Sequence, residues 1–255
     1  METIVSVESL EKSYKNNRVL KGVNFSIAKG SIFALLGSNG AGKTTTVRIL
    51  STLSRLDSGK ASICGYDVAR QAREVKKRIS LTGQFAAIDE LLTGRENLRL
   101  IARLKRVPDV KRKVDELITE FNLEGAADRA ASTYSGGMKR RLDIAMGLLG
   151  TPEVVFLDEP TTGVDPEGRQ EVWRAIKALR DSGTTIFLTT QYLEEAESLS
   201  DNIAILHKGT IIANGTLAEL QALIPPAKVE YIEKKPSLEE IFLNITGDKG
   251  EVRHG

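Results

Sequence analysis

Nine residues, Gly37–Thr45 (GSNGAGKTT), carry the chemistry that is easiest to name. They fit G-x-x-x-x-G-K-[ST] in full. ATP packs several negative phosphate oxygens into a small volume, and glycines let backbone N–H groups approach those oxygens without Cβ clashes. A helix opening near Lys43 would aim its positive dipole end at the same oxygens. In this reading Gly37, Ser38, Asn39, Gly40, Ala41, Gly42, Lys43, Thr44 and Thr45 hold the phosphates. Lys43 brings a full charge to the β and γ groups, and the Thr44 hydroxyl ligates Mg²⁺. The pattern arises by chance in roughly one in a hundred chains of this length. Its position after an apolar strand (SIFALLG) and before a helical pattern (KTTTVRILSTL) is therefore what makes it persuasive.

A second candidate lies far downstream in VVFLDEP, Val154–Pro160. Four apolar residues read as a buried strand with Asp158 and Glu159 at its carboxyl end, the edge at which open α/β sheets bind ligands. Asp158 would hold Mg²⁺, directly or through water, and Glu159 would orient and polarise the attacking water. Alone, such a run is more often a solvated strand end. The phosphate loop upstream changes the reading.

The elements that must position these groups follow from periodicity. IVSVESL, SIFALLG, VVFLDEP, TIFLTT and NIAILHKG read as strands, and KTTTVRILSTL, QEVWRAIKALRDSG and LEEAESLSD as helices. Strands alternating with helices predict an α/β fold around a mainly parallel sheet. IVSVESLEKSY and RVLKGVNFSI alternate instead, which predicts an antiparallel N-terminal β subdomain with turns at KNN and AKG. Between SIFALLG and VVFLDEP, three segments have a period near 3.6: ELLTGRENLRLIARLKRV, DVKRKVDELITEFNL and GGMKRRLDIAMGLLG. They predict a helical subdomain at about residues 85–150, inserted into a domain spanning 1–223. Pro225 and Pro226 then open a short C-terminal extension, 224–255, with a strand pattern in KVEYIEKK and a brief helical one in PSLEEIFLNITG.

Tyr134–Leu149, YSGGMKRRLDIAMGLL, resembles the signature segment of ABC ATPases, usually LSGGQ followed by a basic helix. Ser135, Gly136 and Gly137 match, while Tyr134 and Met138 stand where Leu and Gln are commoner. Tyr14 matches the aromatic that stacks on adenine, Gln84 the lone glutamine after the third core strand, and TTGVDP the loop carrying Asp165. The resemblance covers about residues 2–220 and implies the ABC ATPase fold, a phosphate-loop NTPase core. It also implies a head-to-tail dimer of two copies, with each ATP between the loop of one and Ser135, Gly136, Gly137, Met138 and Asp165 of the other. Gln84 would sense Mg²⁺ and the attacking water. A separate membrane-spanning permease would complete the machine and hold the chain at the inner face of the cell membrane. The family usually has a histidine at the γ-phosphate where this chain has Gln191. An amide can donate there but cannot become a cation, so slower turnover or heavier reliance on Glu159 follows. TGQFAAIDELLTGRENL, YSGGM, TTQYLEEAE and PSLEEIFLNITG together are similar to the daunorubicin-resistance branch, which are exporters. The apolar stretch Phe85–Leu92 is the candidate docking surface for the permease.

Composition limits the alternatives. The 255 residues hold 41% apolar and 27% charged residues, with a formal net charge of +2. That is enough for a full core and too balanced for a dedicated nucleic-acid binder. The runs KRVPDVKRK and MKRRLD read as solvated helix faces. No segment has the roughly 18 apolar residues of a membrane span, and the N-terminus turns polar too soon for a signal peptide. The single Cys64 can form no internal disulfide, which suggests a reducing, cytoplasmic setting. Two other readings stay open: a soluble ABC protein acting on ribosomes or DNA, for which a second ATPase module or a long coiled coil is absent, and an importer ATPase, which the motifs alone do not exclude.

Overall fold

The computed structural model describes residues 2–84 and 86–224. The C-terminal patterns KVEYIEKK and PSLEEIFLNITG, and Phe85 of the docking stretch, lie outside the described residues.

Two sheets organise the chain. Strands β1 (Thr3–Tyr14), β2 (Asn17–Ala28), β4 (Ser58–Ile63) and β5 (Tyr66–Asp67) form an antiparallel sheet in the order β2-β1-β4-β5. The second sheet contains β3 (Ile32–Leu36), β6 (Ile79–Thr82), β7 (Val154–Asp158), β8 (Thr185–Thr190), β9 (Asn202–His207) and β10 (Thr210–Gly215). Its order is β10-β9-β3-β8-β7-β6, parallel except for β10. The short strands β4, β5, β6 and β10 carried too few apolar residues to stand out in sequence.

Strands β3, β7 and β8 are buried along their whole length because both faces of the sheet are covered. Alternate residues feed two cores. Phe33, Leu35, Phe156 and Phe187 face the antiparallel sheet and helix α1 (Lys43–Leu50). Phe25, Phe33 and Phe187 stack there, with centroids 5.0 Å and 5.6 Å apart. Ile32, Ala34, Leu157, Ile186 and Leu188 join the other core. That core is shared with α3 (Gly94–Leu104), α4 (Val110–Glu120), α5 (Gly136–Leu148), α6 (Pro166–Asp181) and α7 (Leu193–Leu199). The remaining helices are α2 (Ala72–Lys76) and α8 (Leu217–Ala222). Helices α3 to α5 lie between β6 and β7 in the chain and share one apolar core with the sheet. The compact unit containing both sheets ends at Ala222.

Two helix expectations need correction. The pattern starting at ELLT becomes helical only at Gly94, because Thr93 and Glu96 form a reciprocal capping box there. The run MKRRLD is not a solvated face: Arg140 and Arg141 are 5% exposed and Asp143 6%. KRVPDVKRK is largely exposed, as expected. Cys64 is half-buried, and burial pushes its thiol up to about 11, so it is inert at neutral pH.

Candidate functional site

Strand β3 delivers the phosphate loop. Gly37 N donates to Thr190 O of β8 at 3.1 Å, which ties the loop to the neighbouring strand end. Gly42 then occupies the N-cap of α1 at φ +114, and a Cβ there would lie 2.6 Å from the Leu20 side chain. Only glycine combines that φ with that contact. It also brings no capping side chain, so the first N–H groups of α1 have no side-chain acceptor. Asn39, Gly40, Gly42, Lys43, Thr44, Thr45 and Glu159 line one hollow there with Asn17 and Val19. Lys43 is 4% exposed; its Nζ donates to Gly37 O at 2.7 Å and Ser38 O at 3.3 Å, and pairs with Glu159 Oε1 at 3.1 Å.

Strand β7 supplies the carboxylates. Asp158 is buried and accepts from Thr189 Oγ1 at 2.5 Å. Glu159 adopts φ +50, a left-handed conformation that costs a non-glycine residue about 1–2 kcal/mol. Its own N–H is held by Thr189 O at 3.1 Å and Thr189 Oγ1 at 3.2 Å, and Thr162 Oγ1 donates to its Oε2 at 3.2 Å. Backbone strain of this kind persists where surrounding bonds over-determine it, and here it turns the carboxylate onto Lys43.

The other sequence-selected residues fall elsewhere. Gln84 is exposed and lines a separate hollow with Gly136, Arg140, Thr162 and Val164. Gln191 follows β8 and is partly buried, lining neither hollow. Tyr14 ends β1 with 45% exposure, its hydroxyl 3.4 Å from Ser54 Oγ and Lys12 Nζ 5.3 Å above its ring. Ser135 caps α5, accepting from Met138 N at 3.2 Å. Gly137 meets Gly168 where α5 crosses α6, so closely that a Cβ on Gly137 would lie 2.7 Å from the Gly168 Cα. Asp165 is exposed at the N-cap of α6 without using its side chain as a cap. None of Ser135, Gly136, Gly137, Met138 and Asp165 lines the Lys43 hollow. Tyr134, unusual in its motif, is explained by packing: it is 6% exposed and donates to Ala126 O at 2.6 Å.

Sequence reasoning missed the buried polar groups behind these loops. Arg140 Nη1 donates to Gly83 O at 2.5 Å and Nη2 to Asp158 O at 3.3 Å. Asp143 Oδ1 accepts from Ala87 N at 3.2 Å, and burial raises its pKa while lowering that of Arg140. Arg141 donates to Phe121 O at 2.6 Å and Asn122 O at 2.7 Å and pairs with Glu171 at 2.5 Å. Glu195, fully buried, accepts from Thr161 Oγ1 at 2.7 Å and from Trp173 Nε1 at 3.1 Å. The signal available was charge at core-facing positions of α5, between Gly137 and the apolar run after Asp143.

A glycine loop joining a buried parallel strand to a helix, with a strained carboxylate on its lysine, defines a phosphate-loop nucleoside triphosphatase. Residues 20–162 match the ABC transporter family, and the chain belongs to it. Its curated relatives include the daunorubicin resistance ATP-binding protein DrrA2 of Streptomyces coeruleorubidus, 50% identical over 89% of this chain and 71% of that protein. Another is the daunorubicin/doxorubicin resistance ATP-binding protein DrrA of Streptomyces peucetius, 47% identical over 86% and 67%. Among solved structures, an ATP-binding subunit of an ABC transporter superposes with a TM-score of 0.75 at 29% identity, covering 95% of this chain and 99% of that one. The chain is an ABC ATPase, an ATP-binding subunit homologous to drug-resistance ATPases.

Proposed function

We propose that this subunit powers export of a drug-like or other amphipathic cargo through a separate membrane-spanning permease. The observation that carries the ATPase site is the contact between Lys43 and Glu159 at 3.1 Å, which joins the phosphate loop to the carboxylate after β7. Lys43 and the α1 N-terminus neutralise the β and γ phosphates, and Glu159 takes the attacking water's proton as general base. Gln191 and Gln84 complete the γ-phosphate environment when the loops close, and Tyr14 stacks on the adenine.

The residues fit Mg²⁺. Thr44 offers a hydroxyl in the hollow, and Asp158, just before the hollow-lining Glu159, ends β7 on the far side of β8 from the loop's strand. When bound, Mg²⁺ neutralises charge on the β and γ oxygens.

Ser135, Gly136, Gly137, Met138 and Asp165 act on the ATP of a second copy. Their absence from the Lys43 hollow supports that assignment, and a two-fold dimer repeats each contact. The names of the relatives support export over import or a ribosomal or nucleic-acid role. No helix of the described residues is long and apolar enough to cross a membrane. In this proposal a separate permease supplies the membrane path and holds the subunit at the cytoplasmic face. Leu91, 89% exposed, supports the docking role of the stretch ending at Leu92, whereas Ile88 packs against the core.

The test is size-exclusion chromatography with light scattering on Glu159→Gln, with and without ATP. A dimer that forms only with ATP, and is lost in Lys43→Ala or Ser135→Arg, supports the shared site. A monomer at saturating ATP, both alone and with the permease, overturns it.

A further inference from the structure

Helix α5 begins at the signature segment and carries a buried ion pair, Arg140 and Asp143, 3.5 Å apart. The pair has an unusual set of partners. The Arg140 guanidinium donates to Gly83 O, one residue before Gln84, and to Asp158 O, one residue before Glu159. Asp143 accepts from Ala87 N, on the other side of Gln84. Burying two charges is costly unless their partners are fixed, and no apolar pair could make these three backbone contacts. Among the described residues Arg140 Nε and Asp143 Oδ2 have no hydrogen-bond partner, so the bonds the pair makes outside itself are those to Gly83 O, Asp158 O and Ala87 N. Gly147, further along α5, packs so tightly on β6 that a Cβ would lie 2.6 Å from Ser80 Oγ. The helix is thus seated directly on the strand that delivers Gln84.

We infer that Arg140 and Asp143 are positioning residues that clamp the Gln84 loop and the start of the Glu159 turn to helix α5. A displacement of the signature end of the helix then reaches both loops through hydrogen bonds rather than through loose packing. The inference rests on the roles proposed above for Gln84 and Glu159, but the clamp itself is independent of them. Neither residue touches the Lys43 hollow, so nucleotide binding by the loop is expected to survive their loss while turnover is not.

Hydrogen–deuterium exchange on the full chain reads the clamp directly. In Asp143→Ala, protection of the Ala87 amide falls by roughly tenfold or more, while the peptide covering residues 37–45 is unchanged. Asp143→Asn keeps an oxygen for Ala87 and keeps the protection. In steady-state ATPase assays, Arg140→Lys retains the charge but replaces the two forked donor nitrogens with one, and its kcat falls by up to roughly 10²-fold, the cost of a misplacement of about 1 Å, with KM for ATP near the wild-type value. Unchanged exchange in folded Asp143→Ala overturns the clamp. Unchanged kcat in Arg140→Lys, or a KM that rises as kcat falls, overturns the positioning role. Glu159→Gln serves as the control: wild-type turnover in that variant faults the proposed catalytic site, and exchange alone then decides the clamp.

Discussion

Replacing Glu159 by Gln separates two consequences of one carboxylate. Its side chain is 11% exposed and pairs with Lys43, whose side chain is 4% exposed. Removing one partner of a fully buried pair costs about 3–5 kcal/mol. Here the loss is smaller. Lys43 keeps Gly37 O and Ser38 O as acceptors, and the new amide oxygen can still accept, so about 1–2 kcal/mol is expected. For a domain of this size each kcal/mol moves Tm by about 2–4 °C, giving a drop of roughly 2–8 °C without nucleotide. ATP reverses the order. The phosphates replace the lost anion beside Lys43, and the variant no longer sets a carboxylate against them; at 100-fold excess over Kd, binding alone adds about 2.7 kcal/mol. Turnover falls by about 10²–10⁴, the usual share of a general base. Thermal melts with and without ATP, together with phosphate release, measure both. Phosphate release within about tenfold of wild type would refute the base assignment. A Tm that ignores the substitution would refute the pairing of Lys43 and Glu159 in solution.

Three further perturbations follow from other contacts. Gln191→Ala is expected to lower kcat, whereas Gln191→His introduces a group with a reference pKa of about 6.5 and gives the rate a pH dependence near that value; a pH–rate profile identical to wild type in the histidine variant counts against a γ-phosphate role. Glu195→Ala strands Thr161 Oγ1 and Trp173 Nε1, both buried, at about 1–3 kcal/mol for each unsatisfied group. Urea unfolding followed by Trp173, the chain's single tryptophan, reads the loss, and an unchanged midpoint contradicts the contact. In acid, Asp57, Glu74, Glu96, Asp128 and Glu219 matter: hydrogen bonds from Lys12, Lys77, Thr93, Arg95 and Thr216, respectively, hold these carboxyls below their usual values. A folded pKa below the unfolded one gives stability that is present above the unfolded pKa and lost as pH falls through the folded one. Urea midpoints should therefore fall once pH drops below about 4, and Asp128→Asn should flatten that fall; a midpoint constant down to pH 3 argues against these bonds.

The legible parts of this protein were those where backbone chemistry dictates residue type. The loop had to be glycine-rich because Gly42 sits at φ +114 against Leu20. Strands β3, β7 and β8 had to carry the apolar runs IFALL, VVFL and IFL because both faces are covered. The start of α3 was equally legible in T-G-R-E, Thr93 to Glu96, but apolar Leu91 and Leu92 extended the helical pattern past the cap. Apolar periodicity registers which side chains avoid water and is blind to where a backbone N–H finds its acceptor.

That blindness explains the largest misreading, of MKRRLD. Charged residues in a helix normally mark its wet face, and a periodicity argument assigns them there. In α5 the wet face is almost absent, since residues 140 to 146 are all buried. Arg140, Arg141 and Asp143 therefore satisfy backbone groups where regular elements end: Gly83 and Ala87 after β6, Phe121 and Asn122 after α4, and Asp158 at the end of β7. Regular ladders stop where these elements end, and the buried carbonyls there must still find donors. Arginine, with five donors on a long stem, can reach them from a helix. Charge inside a helix that crosses the core is thus a sign that irregular backbone lies beside it, and in this chain that backbone carries Gln84 and leads into Glu159.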